Sequence, residues 1–134
     1  DAKINVTWIG SYSDVALASE AAQTHIDAGA DVLTGTSQMT VGAIGVAKQR
    51  GALWFGYDVD QSALAPQNVV SCVDVVWAVA LRPMIEMIQK GEKGGKIFTL
   101  NLANGGINII VNDQALVGKT IEDIVNGNIQ VKVE

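Results

Sequence analysis

Apolar and polar positions along this chain follow two periods, near two in some segments and near 3.6 in others, with glycine, serine and aspartate at the switch points. Lys3–Ile9 alternates and is rich in β-branched residues (Ile4, Val6, Thr7, Ile9), which predicts a strand. Gly10-Ser11-Tyr12-Ser13-Asp14 reads as a turn that ends in helix-capping chemistry. Val15–Ala28 then repeats at helical spacing, with Val15, Ala18, Ala22 and Ile26 on one face, and Gly29 suits the position past the helix end. Asp31–Thr34 predicts a short strand, Gly35–Gln38 a polar loop, and Met39–Gln49 a second helix weakened by Gly42 and Gly45 and closed by Gly51. Ala52–Tyr57 is a strand apolar on both faces, the pattern of a central position in a parallel sheet. Trp8 and Trp54 fall within predicted strands and are assigned to the core.

The second half continues the alternation. Asp58–Gln67 predicts a loop, Asn68–Cys72 a strand, and Asp74–Lys90 a long helix ended by Gly91, with Pro83 expected to bend it or restart it. Lys96–Leu102 and Ile107–Val111 read as strands around an Asn104-Gly105-Gly106 turn. A short helix near Thr120–Val125 and a last strand, Ile129–Val133, complete the order β-α-β-α-β-β-α-β-β-α-β. Strands alternating with helices argue for an α/β fold on a parallel sheet with right-handed crossovers. No internal repeat or linker divides the 134 residues, so the expectation is a single domain or a piece of a larger protein.

Composition narrows the function classes. Apolar residues are 49% and charged residues 17%, enough for a folded core and against a disordered chain. The longest apolar run, Val69–Leu81, is interrupted by Asp74 and too short for a membrane span. The formal net charge is −5 and the basic residues are scattered, so a nucleic-acid partner is not expected. Cys72, the single cysteine, cannot pair internally and heads no metal cluster; a small buried hydrophobe is the expected role. The chain starts at Asp1, which reads as a mature, trimmed or excised product.

Candidate chemistry sits in the loops after the strands, because ligands of open parallel sheets bind outside the strands' carboxyl ends. These loops are Gly10–Asp14, Gly35-Thr36-Ser37-Gln38, Asp58-Val59-Asp60-Gln61-Ser62 and Ser71-Cys72-Val73-Asp74. All are short and carry hydroxyls or carboxylates, which suits hydrogen bonds to a small polar ligand such as a sugar or nucleoside. Asp14 reads first as a helix cap, and Thr36 and Ser37 suit the same role for the second helix. Asp58 and Asp60 fit either an Asx-stabilised turn or a ligand contact. Tyr12 and Trp77 suit ring stacking as well as core or rim packing. Catalysis lacks a constellation: His25 stands alone beside an apolar helix face, and no nucleophile elbow, phosphate loop or metal-ligand spacing is present. No cofactor is expected.

Several of these segments together resemble the basic-membrane-protein family of ABC-transporter solute-binding proteins, which includes purine-nucleoside receptor lipoproteins. Val6–Asp14 is similar to the family's start of the second lobe. Glu20-Ala21-Ala22 with Ile26–Val32 resembles its "EAA…IDxGADV" signature, and Ala47–Gly51 its "AKxxG". Gly56–Pro66 resembles "GxDxDQSxLAP". Gly94–Leu100 with Gly105-Gly106 is similar to a late strand and turn, and Asn126–Val131 to the C-terminal "GxIxV". Agreement runs from Val6 to Val131, and the two central motifs together are specific.

The resemblance implies a parallel-sheet, three-layer lobe of a type I periplasmic-binding protein: residues 1–134 as the second of two lobes that close on a ligand without catalysing a reaction. It implies an extracytoplasmic receptor, periplasmic or lipid-anchored, that delivers a small polar, nucleoside-like ligand to an ABC permease. Residues 73–102 are expected to belong with the missing lobe in the parent. That leaves an exposed apolar surface here and favours a homodimer or swapped assembly of the isolated chain. The carbohydrate-contacting aspartate of the family falls on Asp58. The implied ligand-binding set is Tyr12, Asp14, Gly35, Thr36, Ser37, Asp58, Asp60 and Trp77, with no metal. Nucleoside-binding members often carry a lysine shortly after the fourth strand. Here Ser71–Asp74 has none, and Trp77 is similar to members with a tryptophan in that region. The alternative is a ligand-sensing domain of a membrane-tethered or intracellular regulator with the same fold.

Overall fold

The computed structural model describes residues 3–130. The order is α1 (Val15–Asp27), β1 (Val32–Thr34), α2 (Thr40–Arg50), β2 (Leu53–Asp58), β3 (Val69–Val75), α3 (Ala78–Gln89), β4 (Ile107–Val111) and α4 (Gln114–Val125). The strands form one sheet in sequence order, β1-β2-β3-β4. The first three are parallel; β4 runs antiparallel to β3, with Ser71 opposite Val111 and Val75 opposite Ile107.

Local signals place these elements close to where the sequence puts them. Asp14 accepts a hydrogen bond from the Leu17 amide at 3.0 Å and starts α1. Gly29 leaves the helix at φ +93°, a conformation costly for a residue with a Cβ. Gly42 has a packing role: a Cβ there would collide with the Val15 carbonyl oxygen and the Ser19 hydroxyl, so the missing side chain lets α2 lie close against α1. The two helices cover β1, β2 and β3. Between them lies one core of Ala22, Leu33, Ile44, Ala47, Ala52, Trp54, Ala65, Val69 and Cys72. Trp54 and Cys72 are fully buried, as expected for both.

The β2–β3 connection contains no helix. Residues 59–68 make the parallel crossover with two tight turns at 62–64 and 66–68. This is shorter than the usual crossover of a dozen or more residues. The path is held by Asn68, whose amide donates to the Ala52 carbonyl at 2.9 Å.

Several expectations are corrected. Lys3–Ile9 is not a strand. β1 and β2 pair directly, Val32 opposite Leu53 and Thr34 opposite Phe55, which leaves no slot between them for a further strand. The segment pairs with no strand, not even at the free outer edge of β1, and Trp8, assigned to the core, is 92% exposed. It is tethered to α1 by a 2.9 Å hydrogen bond between Thr7 Oγ1 and His25 Nε2. Lys96–Leu102 also pairs with nothing as a strand, and Ile97 is exposed. The long helix starts at Ala78 rather than Asp74, because β3 continues through Asp74 and Val75 opposite Asn108 and Ile107. It then runs through Pro83 without restarting. The last helix is longer than predicted and begins at Gln114, where Asp113 caps the Leu116 amide at 3.0 Å. In the expected terminal strand, Ile129 and Gln130 have no strand structure, and Val131–Val133 lie outside the described residues.

Candidate functional site

Three parallel strands point their carboxyl ends to one edge of the sheet, and the loops leaving β1, β2 and β3 open there. A fourth loop joins them. The amide of Met39, at the start of α2, donates to the Tyr12 carbonyl at 3.2 Å, which draws Gly10–Asp14 beside Gly35–Met39. The Tyr12 side chain is largely exposed. Asp14 is half-buried and engaged as the α1 cap, with its own amide donating to Ser11 Oγ at 3.1 Å.

The α2 entry differs from the expected cap. Neither Thr36 nor Ser37 caps the helix by its side chain; Met39 stands at the cap position. Instead the Ser37 carbonyl accepts from Thr40 Oγ1 at 2.8 Å, and Ser37 lies in the left-handed region at φ +75°. Gly35 is tight against the core: a Cβ there would stand 3.2 Å from Thr40 Cγ2 and 3.4 Å from the Trp54 ring.

Asp58 ends β2 and is also left-handed, at φ +80°. Ser37 and Asp58 are the two non-glycine residues with positive φ among those described, and both belong to loops at this edge. Such conformations cost about 1–3 kcal/mol and persist where the surroundings enforce them. Asp58 pairs in register with Asp74, so two carboxylates rise from neighbouring strands. Trp77 follows three residues later, 58% exposed.

Asp60 is placed differently. After Asp58 the chain turns back across the sheet, and Asp60 Oδ1 accepts from the Ser62 amide at 2.9 Å and from the Ser62 hydroxyl. This is the Asx turn that its residue type suggests. The hydrogen bonds from the Ser62 hydroxyl and amide hold its carboxyl below the usual carboxylate range. Ser62 Oγ in turn meets Asn112 Nδ2 at 2.5 Å, and Asn112 also donates to the Val69 carbonyl at 3.2 Å. Ser62 therefore lies toward the start of β3, away from the edge that carries Asp58.

The residue missed as a separate position is Gln61. It is buried, and its Oε1 accepts from Trp54 Nε1 at 2.7 Å. A glutamine between Asp60 and Ser62 looks like loop polarity, and only the fold shows that its side chain turns inward. Among the described residues no group of His, Cys, Asp or Glu is arranged to hold a metal. A hollow of about 580 Å³ between α2 and Leu64 is lined by Val41, Ile44, Gly45, Lys48, Gln49 and Leu64 and includes none of the expected ligand residues. No helix of the described residues is long and apolar enough to cross a membrane.

Comparison with known proteins agrees with this geometry. Residues 1–133 match the family described as Bmp, ABC transporter substrate-binding protein PnrA-like. Basic membrane protein A of Borreliella afzelii is 31% identical over 121 residues, 87% of this chain and 37% of that protein. A purine-binding protein of Brucella abortus is 34% identical over 77 residues, 58% of this chain and 22% of that protein. An ABC-transporter solute-binding protein of Aeropyrum pernix superposes with a TM-score of 0.66 at 24% identity, covering 95% of this chain and 36% of that one. A transcriptional activator of the comK gene from Bacillus halodurans superposes with a TM-score of 0.73 at 17% identity, covering 89% and 42%. These likenesses show the periplasmic-binding fold, and the chain spans a little over a third of the length of the curated relatives it matches.

Proposed function

The chain belongs to the Bmp family of PnrA-like ABC transporter substrate-binding proteins, and on that premise we propose that it is one ligand-binding lobe of an extracytoplasmic receptor that hands a purine nucleoside or related polar ligand to an ABC permease. The observation that carries this reading is the shared edge: Tyr12, Gly35–Ser37, Asp58 and Trp77 belong to four loops that open on one side of the sheet. Asp58 accepts hydrogen bonds from ligand hydroxyls, Tyr12 and Trp77 supply ring faces, and the facing lobe excludes water on closure. Purine binding by the Brucella abortus relative supports the ligand class. The family's description as substrate-binding proteins supports a role in binding.

α3 and the segment after it belong, in this reading, with the rest of the receptor. Trp77, Leu81, Ile85 and Ile88 leave an apolar face uncovered in the chain by itself.

The test is isothermal titration with adenosine, guanosine and inosine, run on the chain and on the full receptor that contains it. Binding by the receptor, with weak or no binding by the chain, supports the half-site. If the receptor binds none of the three, the purine assignment fails while the fold stands. The likeness to the Bacillus halodurans activator carries the fold alone. A regulatory operon around the gene, in place of permease genes, would favour a ligand-sensing regulator instead.

A further inference from the structure

We propose that Gln61 is a positioning residue that fixes Asp58 at the ligand edge from beneath the sheet. The proposal rests on the receptor reading for its ligand and on geometry for its mechanism.

Asp58 holds a left-handed backbone at the point where β2 turns into the crossover. Three residues later the Gln61 side chain is inserted below the strand, 8% exposed. Its two ends grip different partners. Oε1 accepts from the indole Nε1 of Trp54, itself 1% exposed, at 2.7 Å. Nε2 donates to the carbonyl of Tyr57, the residue before Asp58, at 3.4 Å. The Gln61 backbone amide donates to Cys72 Sγ on β3 at 3.4 Å. The side chain thus closes the turn over residues 57–61 and pins it to β2, while the backbone amide ties the same residue to β3.

Room for this comes from Gly56. A Cβ there would stand 2.8 Å from Gln61 Oε1 and 2.5 Å from Cys72 Sγ, so the amide occupies the space a side chain would take. The length of glutamine matters too. Asparagine is one methylene shorter and cannot span from the loop to both the indole and the Tyr57 carbonyl. Glutamate keeps an acceptor for the indole but loses the donor to Tyr57. Gln61 touches no ligand; it acts by holding the backbone from which the Asp58 carboxylate projects.

The test uses the full receptor and adenosine, guanosine and inosine. Gln61→Met fills the same space without either hydrogen bond. It is expected to weaken binding of the preferred nucleoside at least ten-fold and to raise amide exchange across residues 57–62. In a background that already carries Asp58→Ala, the same substitution is expected to change affinity less than two-fold, because the group it positions is gone. A purely structural role would lower affinity equally in both backgrounds, and that result overturns the proposal. Wild-type affinity in Gln61→Met does so as well. If the unmodified receptor binds none of the three nucleosides, the receptor's ligand reading has failed separately. Exchange across 57–62 then decides: faster exchange in Gln61→Met upholds the anchor and unchanged exchange rejects it. Where Gln61→Met does not fold, Trp54→Phe removes the indole hydrogen bond from its other end and is read the same way.

Discussion

At the residue scale, identity and neighbours decide different things. Trp8 and Trp54 both lie in apolar stretches that read as strands. Trp54 is buried because its strand sits within the sheet and its ring packs with Ala22 of α1 and Ile44 and Ala47 of α2, whereas Trp8 is exposed because its segment joins no strand of the sheet. Strand pairing is non-local, so the pattern of one segment cannot reveal it. Asp14 shows the opposite case: its capping bond is made three residues away, and the residue type alone indicated it. Asp58 and Asp60 fall between. Their chemistry was legible, but which one stays at the edge depends on the Ser62 and Gln61 contacts of the return segment. Asp58 is thus the carboxylate whose removal should be felt by ligand. Asp58→Ala in the full receptor is expected to cost about 1–3 kcal/mol of binding if it pairs buried ligand hydroxyls, roughly a five- to 150-fold rise in Kd. Isothermal titration reads this directly, and an unchanged Kd would remove Asp58 from the site.

At the element scale, helices and central strands were legible because their signals are local: caps, glycine stops and an apolar period. The boundaries that moved, at the start of α3 and of α4, moved where a ladder partner or a cap competed with helical pattern. Some elements are tied to each other, or closed on themselves, by charge. Arg50 at the end of α2 reaches Asp27 at the end of α1 at 2.7 Å, and Lys119 meets Asp123 within α4 at 2.7 Å. Hydrogen bonds to Arg50 and Gln23 hold the Asp27 carboxyl below the usual range, and those to Lys119 and Asn128 do the same for Asp123. Because these pKa values are depressed in the fold, the stability they contribute is present above the unfolded carboxylate pKa, about 3.9, and is lost as pH falls through the lower folded values. Both groups lie at the surface, so the effect is small and screened by salt. Thermal melts should therefore be flat from pH 7 to about 5 and decline below about 4. The decline should be shallower in an Asp27→Asn/Asp123→Asn variant, and an equal slope in the two proteins would show that other carboxylates carry the acid response.

At the scale of the whole molecule, surface decides what the chain does by itself. Its accessible surface is 9433 Å² for a mass of 14.1 kDa, whereas a folded monomer of that size is expected to show about 6,700 Å². The excess is larger than one partner's share of a standard interface, about 800 Å². Large apolar residues are exposed in two segments. α3 shows Leu81 at 50%, Ile85 at 54% and Ile88 at 63%, spaced to share one side of the helix, and Ile4, Val6 and Trp8 stand out on the unpaired N-terminal segment. On the proposed receptor reading the remaining protein covers these residues, and in the isolated chain a second copy is the available cover. The chain alone should therefore sediment as a dimer or larger at micromolar concentration, and Leu81→Glu/Ile85→Glu should shift it toward monomer. Ala80, the buried residue of α3, is untouched by those changes, so the far-ultraviolet circular dichroism should be kept. If the rest of the receptor occupies the α3 face, as proposed, the full receptor should remain monomeric and the double substitution there should lower Tm instead. A monodisperse monomer of the unmodified chain, with no rise in the fluorescence of an apolar dye, would mean that α3 folds back onto the sheet in solution and that residues 73–102 belong to this lobe after all.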